Sequence, residues 1–369
     1  MSGPDSPPGA ASQDGRKPRL LGMDAAQIPE LADLAPLPPF RVRQIATWIF
    51  ERGITSFDEM TDLPKDLRAR LAKGLDVSTD PVVRKTSDPD GEATKFLLQL
   101  HDGGLIESVL IEGRKRKTFC VSSQVGCAYG CTFCATALMG AGRNLTAAEI
   151  VSQVFVLRGE LRARGWLDSF NLVFMGMGEP LANYDALVRA LGILQDPGGM
   201  AIGRRRITVS TVGLPHRIRK LAEETVAPRL AFSLVSTRHE DRKRLMPVEK
   251  RYPIPMVIEA LKEYREKTGQ RVTLEYVLMK GINDSKGEAR ALARLAKDAG
   301  AKINVIAFNP HPGAPFQPSP PERMDAFLEI LQPLVAGVTV RYSRGRRIQA
   351  ACGQLSTAAA SGTDRSIRP

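Results

Sequence analysis

Short apolar runs at 118–122, 170–175, 206–211, 229–235, 272–279 and 303–308 read as buried strands. Between them, segments 146–164, 184–195, 215–224, 255–267, 286–299 and 321–334 repeat their apolar residues at helical spacing. Thr146-Ala147-Ala148-Glu149 has capping-box spacing, in which the hydroxyl and the carboxylate satisfy amides that a helix start leaves unpaired. Serial βα units predict parallel strands joined by right-handed crossovers. Six such units fall short of a closed eight-fold barrel, so the pattern predicts an α/β fold with a partial (βα)6 TIM-like barrel. In such barrels chemistry collects on the loops that follow the strands.

Upstream the periodicity differs. Segment 39–74 is helical in pattern: RVRQIATWIFERG places Ile45, Ile49 and Phe50 on one face, and DLPKDLRARLAKGL repeats the theme before a glycine stop. Segments 94–100 and 105–111 alternate, and Asp102-Gly103-Gly104 between them reads as a hairpin turn. The expected organisation is a disordered tail (1–18), a small helical accessory domain (19–90), a connecting β-hairpin (91–116), a catalytic domain (117–355) and a disordered tail (356–369).

Composition narrows the class. The 369 residues are 43% hydrophobic and 25% charged, as in globular chains of this size. No apolar run reaches the roughly 20 residues of a membrane span. The N-terminal MSGPDSPPGAASQDGRKPR lacks the apolar centre of a secretory signal, so the expected compartment is the cytoplasm. A net charge of +12 fits a polyanionic partner. Its basic residues cluster at Arg114 to Lys117, Arg204 to Arg206, Arg242 to Arg244, and Arg344 with Arg346 and Arg347. No basic amphipathic helix with an aromatic face stands out, which favours nucleic acid over a membrane. Solvated loops are the plain alternative for any one cluster.

Of the five cysteines, Cys120, Cys127, Cys131 and Cys134 crowd one stretch and Cys352 stands alone. That spacing does not make a disulfide scaffold. Cys127-Ala128-Tyr129-Gly130-Cys131-Thr132-Phe133-Cys134 is a C-x3-C-x2-C loop directly after the first parallel strand. Three thiolates suit a [4Fe–4S] cluster with one iron left open. A four-cysteine zinc site that recruits Cys120 is the rival reading. The scattered His101, His216, His239 and His311 do not read as metal ligands.

The string Cys120-Val-Ser-Ser-Gln-Val-Gly-Cys-Ala-Tyr-Gly-Cys-Thr-Phe-Cys-Ala-Thr136 resembles the RlmN family of radical S-adenosylmethionine (SAM) adenine-C2 methyltransferases. So do Gly176-Met177-Gly178-Glu179-Pro180-Leu181, Ile207-Thr208-Val209-Ser210-Thr211, Glu275-Tyr276-Val277-Leu278, Phe308-Asn309-Pro310 and Ala350-Ala351-Cys352-Gly353-Gln354-Leu355. The likeness runs in order from about residue 38 to 355. Cfr-type adenine-C8 methyltransferases share most of these motifs.

The resemblance implies a radical SAM barrel, a [4Fe–4S] cluster on Cys127, Cys131 and Cys134, and SAM on the open iron. It implies SAM contacts from Gly178, Glu179, Ser210, Ser233, Leu234, Val235 and Asn309. It also implies catalytic roles: one SAM methylates Cys352, and a 5′-deoxyadenosyl radical from a second abstracts hydrogen from that methyl. The product adds to adenine, Glu107 accepts a proton, and Cys120 resolves the tether through a transient disulfide. Implied substrates are 23S rRNA in the peptidyl-transferase region and tRNA beside the anticodon. Implied partners are an electron donor such as flavodoxin or ferredoxin, with no membrane, and the chain is expected to be a monomer. Three positions depart from the family pattern: Val235 for a usual His, Ala137 for a usual Gly, and the basic Arg344-Gly345-Arg346-Arg347 for a usually acidic segment. Alternatives left open are C8 methylation, another RNA substrate and, outside enzymes, a zinc-stabilised RNA-binding protein.

Overall fold

A computed structural model of the chain describes residues 16–24, 27–28, 37–113, 116–166 and 169–357. Stretches 1–15 and 358–369, which hold most of the two expected disordered tails, lie outside the described residues, as do Arg114 and Lys115 of the first basic cluster. The described chain forms two units. One holds the residues up to Pro81 with Leu145–Asp168 and Asp185–Gly203; the other holds Val82–Asn144, Ser169–Tyr184 and the chain from Arg204 onward.

In the first unit, helix α1 (Pro39–Ala46) runs on into a wider π-turn, Thr47–Arg52. Ile45, Ile49 and Phe50 are sealed from solvent, as their common face predicts. Phe50 meets Phe155 edge-on, with centroids 6.2 Å apart. Helix α2 (Lys65–Gly74) buries Leu67 and Leu71. Thr146 and Glu149 close the capping box of a long helix, here α4 (Ala147–Ala163), at 3.2 and 2.8 Å.

The second unit is built on one ten-stranded sheet whose spatial order is the chain order: β1 (Val82–Ser87), β2 (Ala93–Gln99), β3 (Leu105–Glu112), β4 (Lys117–Cys120), β5 (Phe170–Phe174), β6 (Ile207–Thr211), β7 (Arg229–Ser233), β8 (Val272–Leu278), β9 (Lys302–Ala307) and β10 (Val338–Arg341). From β1 to β4 neighbours are antiparallel; from β4 to β10 they are parallel. Each parallel return passes through helix. After β4 come the short α3 (Ala135–Leu138) and α4, and after β5 comes α5 (Tyr184–Gln195). Later returns use α6 (Pro215–Ala222), α7 (His239–Leu245) with α8 (Ile254–Thr268), α9 (Lys286–Asp298) and α10 (Pro321–Leu331).

All six expected parallel strands are present. A seventh, β10, has four residues, and its alternating, half-exposed VTVR is no apolar run. The expected hairpin is β2–β3, with Gln99 opposite Leu105 and Gly103 at φ +82° in the turn. β1 pairs beside it unannounced, because its exposed side chains leave no alternation to read.

Register fixes the two faces, since paired residues point the same way and neighbours along a strand point opposite ways. Phe119, Leu172, Phe174, Val209, Leu230, Phe232, Leu274 and Tyr276 share one face and are fully buried. Helices cover it: the Tyr276 ring stacks on Phe327 of α10, and its hydroxyl donates to Glu288 of α9 at 2.5 Å. The other face is polar. Starting from Cys120, the pairings carry it through Val173, Thr208, Ser210, Ala231, Ser233, Glu275 and Asn304 to Thr339, and two residues on to Arg341. Across β3, Val109 pairs with Cys120, which puts Glu107 on this face too. The apolar face makes the core, and the polar face is left for chemistry.

Candidate active site

The cysteine loop leaves the end of β4 and folds back on itself. A Cβ on Gly126 would lie 2.5 Å from the Gly140 carbonyl, so only glycine allows the Cys127 amide to donate to that carbonyl at 2.8 Å. Gly130, at φ +64°, makes the next turn. Thr132 then donates its amide to the Leu245 carbonyl at 3.0 Å, tying the loop to the end of α7.

Burial pushes the Cys127 thiol up to about 11, and it lifts Cys131 and Cys134 as well. Repulsion between these three groups adds to the rise. Three thiols packed this way are poor anions on their own and good ligands for a cationic centre placed among them. Among the described residues, no group of three or more His, Cys, Asp or Glu is arranged to hold a single metal ion. In an iron–sulfur cluster each thiolate binds a separate iron, and these soft donors fit such a cluster.

Gly178 and Glu179 follow β5. Gly178 adopts φ +97°, with no room for a Cβ beside Gln124. Glu179 is buried and well held: its amide donates to Gln124 Oε1, and its Oε1 and Oε2 accept from the Leu181 and Val212 amides at 3.0 and 2.8 Å. Burial still raises its pKa to about 7. The carboxylate expected to face a ligand thus also pins the loop after β6.

Ser210, one residue before the end of β6, and Ser233, at the end of β7, face each other, with hydroxyls 3.4 Å apart. The segment Ser233, Leu234 and Val235 is held through its backbone. The Leu234 amide donates to the Glu275 carbonyl at 3.1 Å, and Asn283 Nδ2 donates to the Val235 carbonyl at 2.6 Å. Val235 has φ +63°, a strained conformation for a β-branched residue. Asn309, after β9, donates to the Cys352 carbonyl at 3.0 Å, while its buried Oδ1 has no hydrogen-bond partner.

The C-terminal segment docks beside the cysteine loop. The Ala135 amide donates to the Gly353 carbonyl at 2.7 Å, and Thr136 Oγ1 donates to that of Leu355 at 2.7 Å. This brings Cys352 close enough to Cys120 and Cys134 to raise both their pKa values. Cys120 is pushed up to about 12, chiefly by burial. All five cysteines are free thiols, so the expected transient Cys120–Cys352 disulfide is not formed here.

Glu107 is no surface residue. It is buried, accepts from Lys95 Nζ at 2.8 Å and from the Ser356 amide at 2.9 Å, and has its pKa raised by burial against the pull of Lys95. Every expected site residue lies in this one unit. The sequence reading missed Gln124, Asn283, Glu275, Arg341 and Arg242. Glu275 stood in a quoted motif without a role, and only strand register puts it on the polar face. Arg242 was counted in a basic cluster, but it is fully buried and paired with Glu249, while Arg244 pairs with Asp241 at 2.7 Å. That cluster does not offer three free cations.

Comparison with known proteins bears on the whole chain. Residues 121–293 match the model of the radical SAM superfamily, and residues 19–77 match the ribosomal RNA large subunit methyltransferase N-terminal domain. The chain is 42% identical to the dual-specificity RNA methyltransferase RlmN of Anaeromyxobacter sp. (strain Fw109-5), over 100% of this chain and 97% of that one. It is 45% identical to the enzyme of the same name from Syntrophobacter fumaroxidans, over 86% and 91%. The crystal structure of a radical SAM methyltransferase from Sphaerobacter thermophilus superposes with a TM-score of 0.87 at 45% identity, covering 92% of this chain and 99% of that one. The chain thus belongs to the RlmN family of radical SAM RNA methyltransferases.

Proposed function

We propose that this enzyme methylates C2 of adenosine in the peptidyl-transferase region of 23S rRNA and in tRNA beside the anticodon. The observation that supports it is that the C-terminal segment brings Cys352 to the sheet face that carries Cys120 and Glu107, beside the three-cysteine loop. A simple hydrogen-abstracting enzyme needs no such thiol pair.

Cys127, Cys131 and Cys134 hold a [4Fe–4S] cluster, and Glu179, Ser210, the Ser233 to Val235 segment and Asn309 surround SAM. Cluster and SAM together supply the radical chemistry that an electron-poor ring carbon requires, because such a carbon does not attack a methyl group as a nucleophile. Cys352 carries the methyl carbon and delivers it to the base. Glu107 takes the C2 proton, its pKa raised by burial toward the range of a useful base, and the one electron left on the radical adduct would go to the iron–sulfur cluster. Cys120 then attacks the Cys352 sulfur: an S–S bond forms, the S–C bond breaks, and the released carbon gains a proton to become methyl. Cytoplasmic disulfides are mostly transient and catalytic, in keeping with this step. No described helix is long and apolar enough to cross a membrane. The reading includes a cytoplasmic monomer that receives electrons from flavodoxin or ferredoxin.

Nucleoside mass spectrometry tests the proposal, after anaerobic incubation of reconstituted enzyme with SAM, a reductant, 23S rRNA and tRNA. 2-Methyladenosine is the expected product. 8-Methyladenosine overturns the regiochemistry, and 5′-deoxyadenosine without either product overturns the substrate.

A further inference from the structure

Glu275, on β8, is 6% exposed. Its Oε1 accepts from Asn304 Nδ2 at 3.0 Å, but its buried Oε2 has no hydrogen-bond partner, Arg341 included. An unfilled buried carboxylate oxygen is costly, and native structures seldom keep one without a use. Arg341, two strands away on the same polar face, donates to Met175 Sδ at 3.5 Å, and a thioether is a weak acceptor. Its cation is near enough to Cys352, Cys120 and Glu275 for all three to act on it. An unfilled acceptor and an under-used donor therefore lie on one polar sheet face, with Cys352 beside the donor.

Adenine presents the complementary pattern: an exocyclic amino donor beside a ring-nitrogen acceptor, N7 on one edge and N1 on the other. Guanine reverses the amino position to a carbonyl, which would oppose the carboxylate. We propose that Glu275 and Arg341 read the target base, Glu275 Oε2 accepting from the adenine amino group and Arg341 donating to the neighbouring ring nitrogen. This rests on the adenosine methylation proposed above.

The test uses reconstituted holoenzyme and a peptidyl-transferase rRNA hairpin carrying either adenosine or purine ribonucleoside, which lacks the amino group, at the target position. Wild type is expected to prefer adenosine in kcat/KM by about tenfold or more. Glu275→Leu should bring that preference below about threefold by slowing the adenosine RNA. Glu275→Gln, which keeps an acceptor, should retain part of it, and circular dichroism checks that both variants fold. SAM affinity by equilibrium dialysis should stay within about twofold of wild type. An unchanged preference in Glu275→Leu overturns the inference, and so does a loss of SAM affinity with the preference intact. Wild type that methylates neither RNA overturns the functional reading, and this inference with it, before any variant is made.

Discussion

Arg242 and Glu249 form an ion pair 2.5 Å long with neither side chain reaching solvent. The guanidinium spends its other donors on backbone: Nε on the Leu234 carbonyl at 2.9 Å, and Nη2 on those of Val212 and Ser233 at 2.8 and 3.2 Å. Val212 in turn donates to Glu179. One buried cation thereby sets the ends of β6 and β7 together.

Breaking that pair leaves an uncompensated buried charge, which costs about 3–5 kcal/mol. Arg242→Met should lose about that much in urea unfolding, because Glu249 stays behind with only His239 and the Ile254 amide. The double variant Arg242→Met/Glu249→Leu should recover part of the loss. A single variant within about 1 kcal/mol of wild type would show that the pair is not a structural keystone.

Gly178→Ala meets two penalties. Its φ of +97° is strained for any residue with a Cβ, and that Cβ would lie 2.6 Å from Gln124 Cβ and 2.8 Å from its backbone nitrogen. Strain of about 1–3 kcal/mol and overpacking of similar size should add. Calorimetry should record a clear drop in Tm, and since Gln124 positions the Glu179 amide, SAM affinity should fall as well. A variant with wild-type Tm and SAM affinity would contradict the packing described here.

Much of this was legible in the sequence, for identifiable reasons. Parallel strands buried on the helix side make apolar runs, and helices mark their starts with groups such as Thr146 and Glu149. The β10 strand escaped because a short edge strand ending in Arg341 has no such run. The cysteine spacing and strand-end motifs lie on local loops, which is why the sequence could point to them as a candidate site. Long-range pairing was not readable. Nothing near Glu275 in the chain announces Arg341, and nothing in Arg242-Lys243-Arg244 tells the buried arginine from its two neighbours. A charge run on a short helix such as α7 turns one side inward, and only the fold decides which.

Glu179 gives the site a pH signature. Its folded pKa of about 7 lies above its ordinary 4.5, so the native state holds more protons between those values. Its contribution to stability is whole below 4.5 and is lost as pH rises to about 7, by about 3 kcal/mol. Comparing wild type with Glu179→Gln by urea unfolding isolates the effect: the difference should shift against wild type across that window and stay flat above it. A flat difference throughout would mean that the carboxylate is already ionised when buried.

Cys120 and Cys352 should separate cleanly by variant. In Cys352→Ala the three-cysteine loop and the residues proposed to surround SAM are untouched, so SAM cleavage to 5′-deoxyadenosine should continue while methyl transfer falls to background. Cys120→Ala keeps the residue proposed to take the methyl carbon and loses the thiol proposed to release it. Denaturing gels of that variant with labelled RNA should show a covalent protein–RNA adduct that ribonuclease trims to a modified Cys352. The burial that pushes Cys120 up to about 12 makes its thiolate scarce in the resting enzyme, and the cation of Arg341 opposes that rise. Full methylation by either cysteine variant would remove the thiol pair from the reaction.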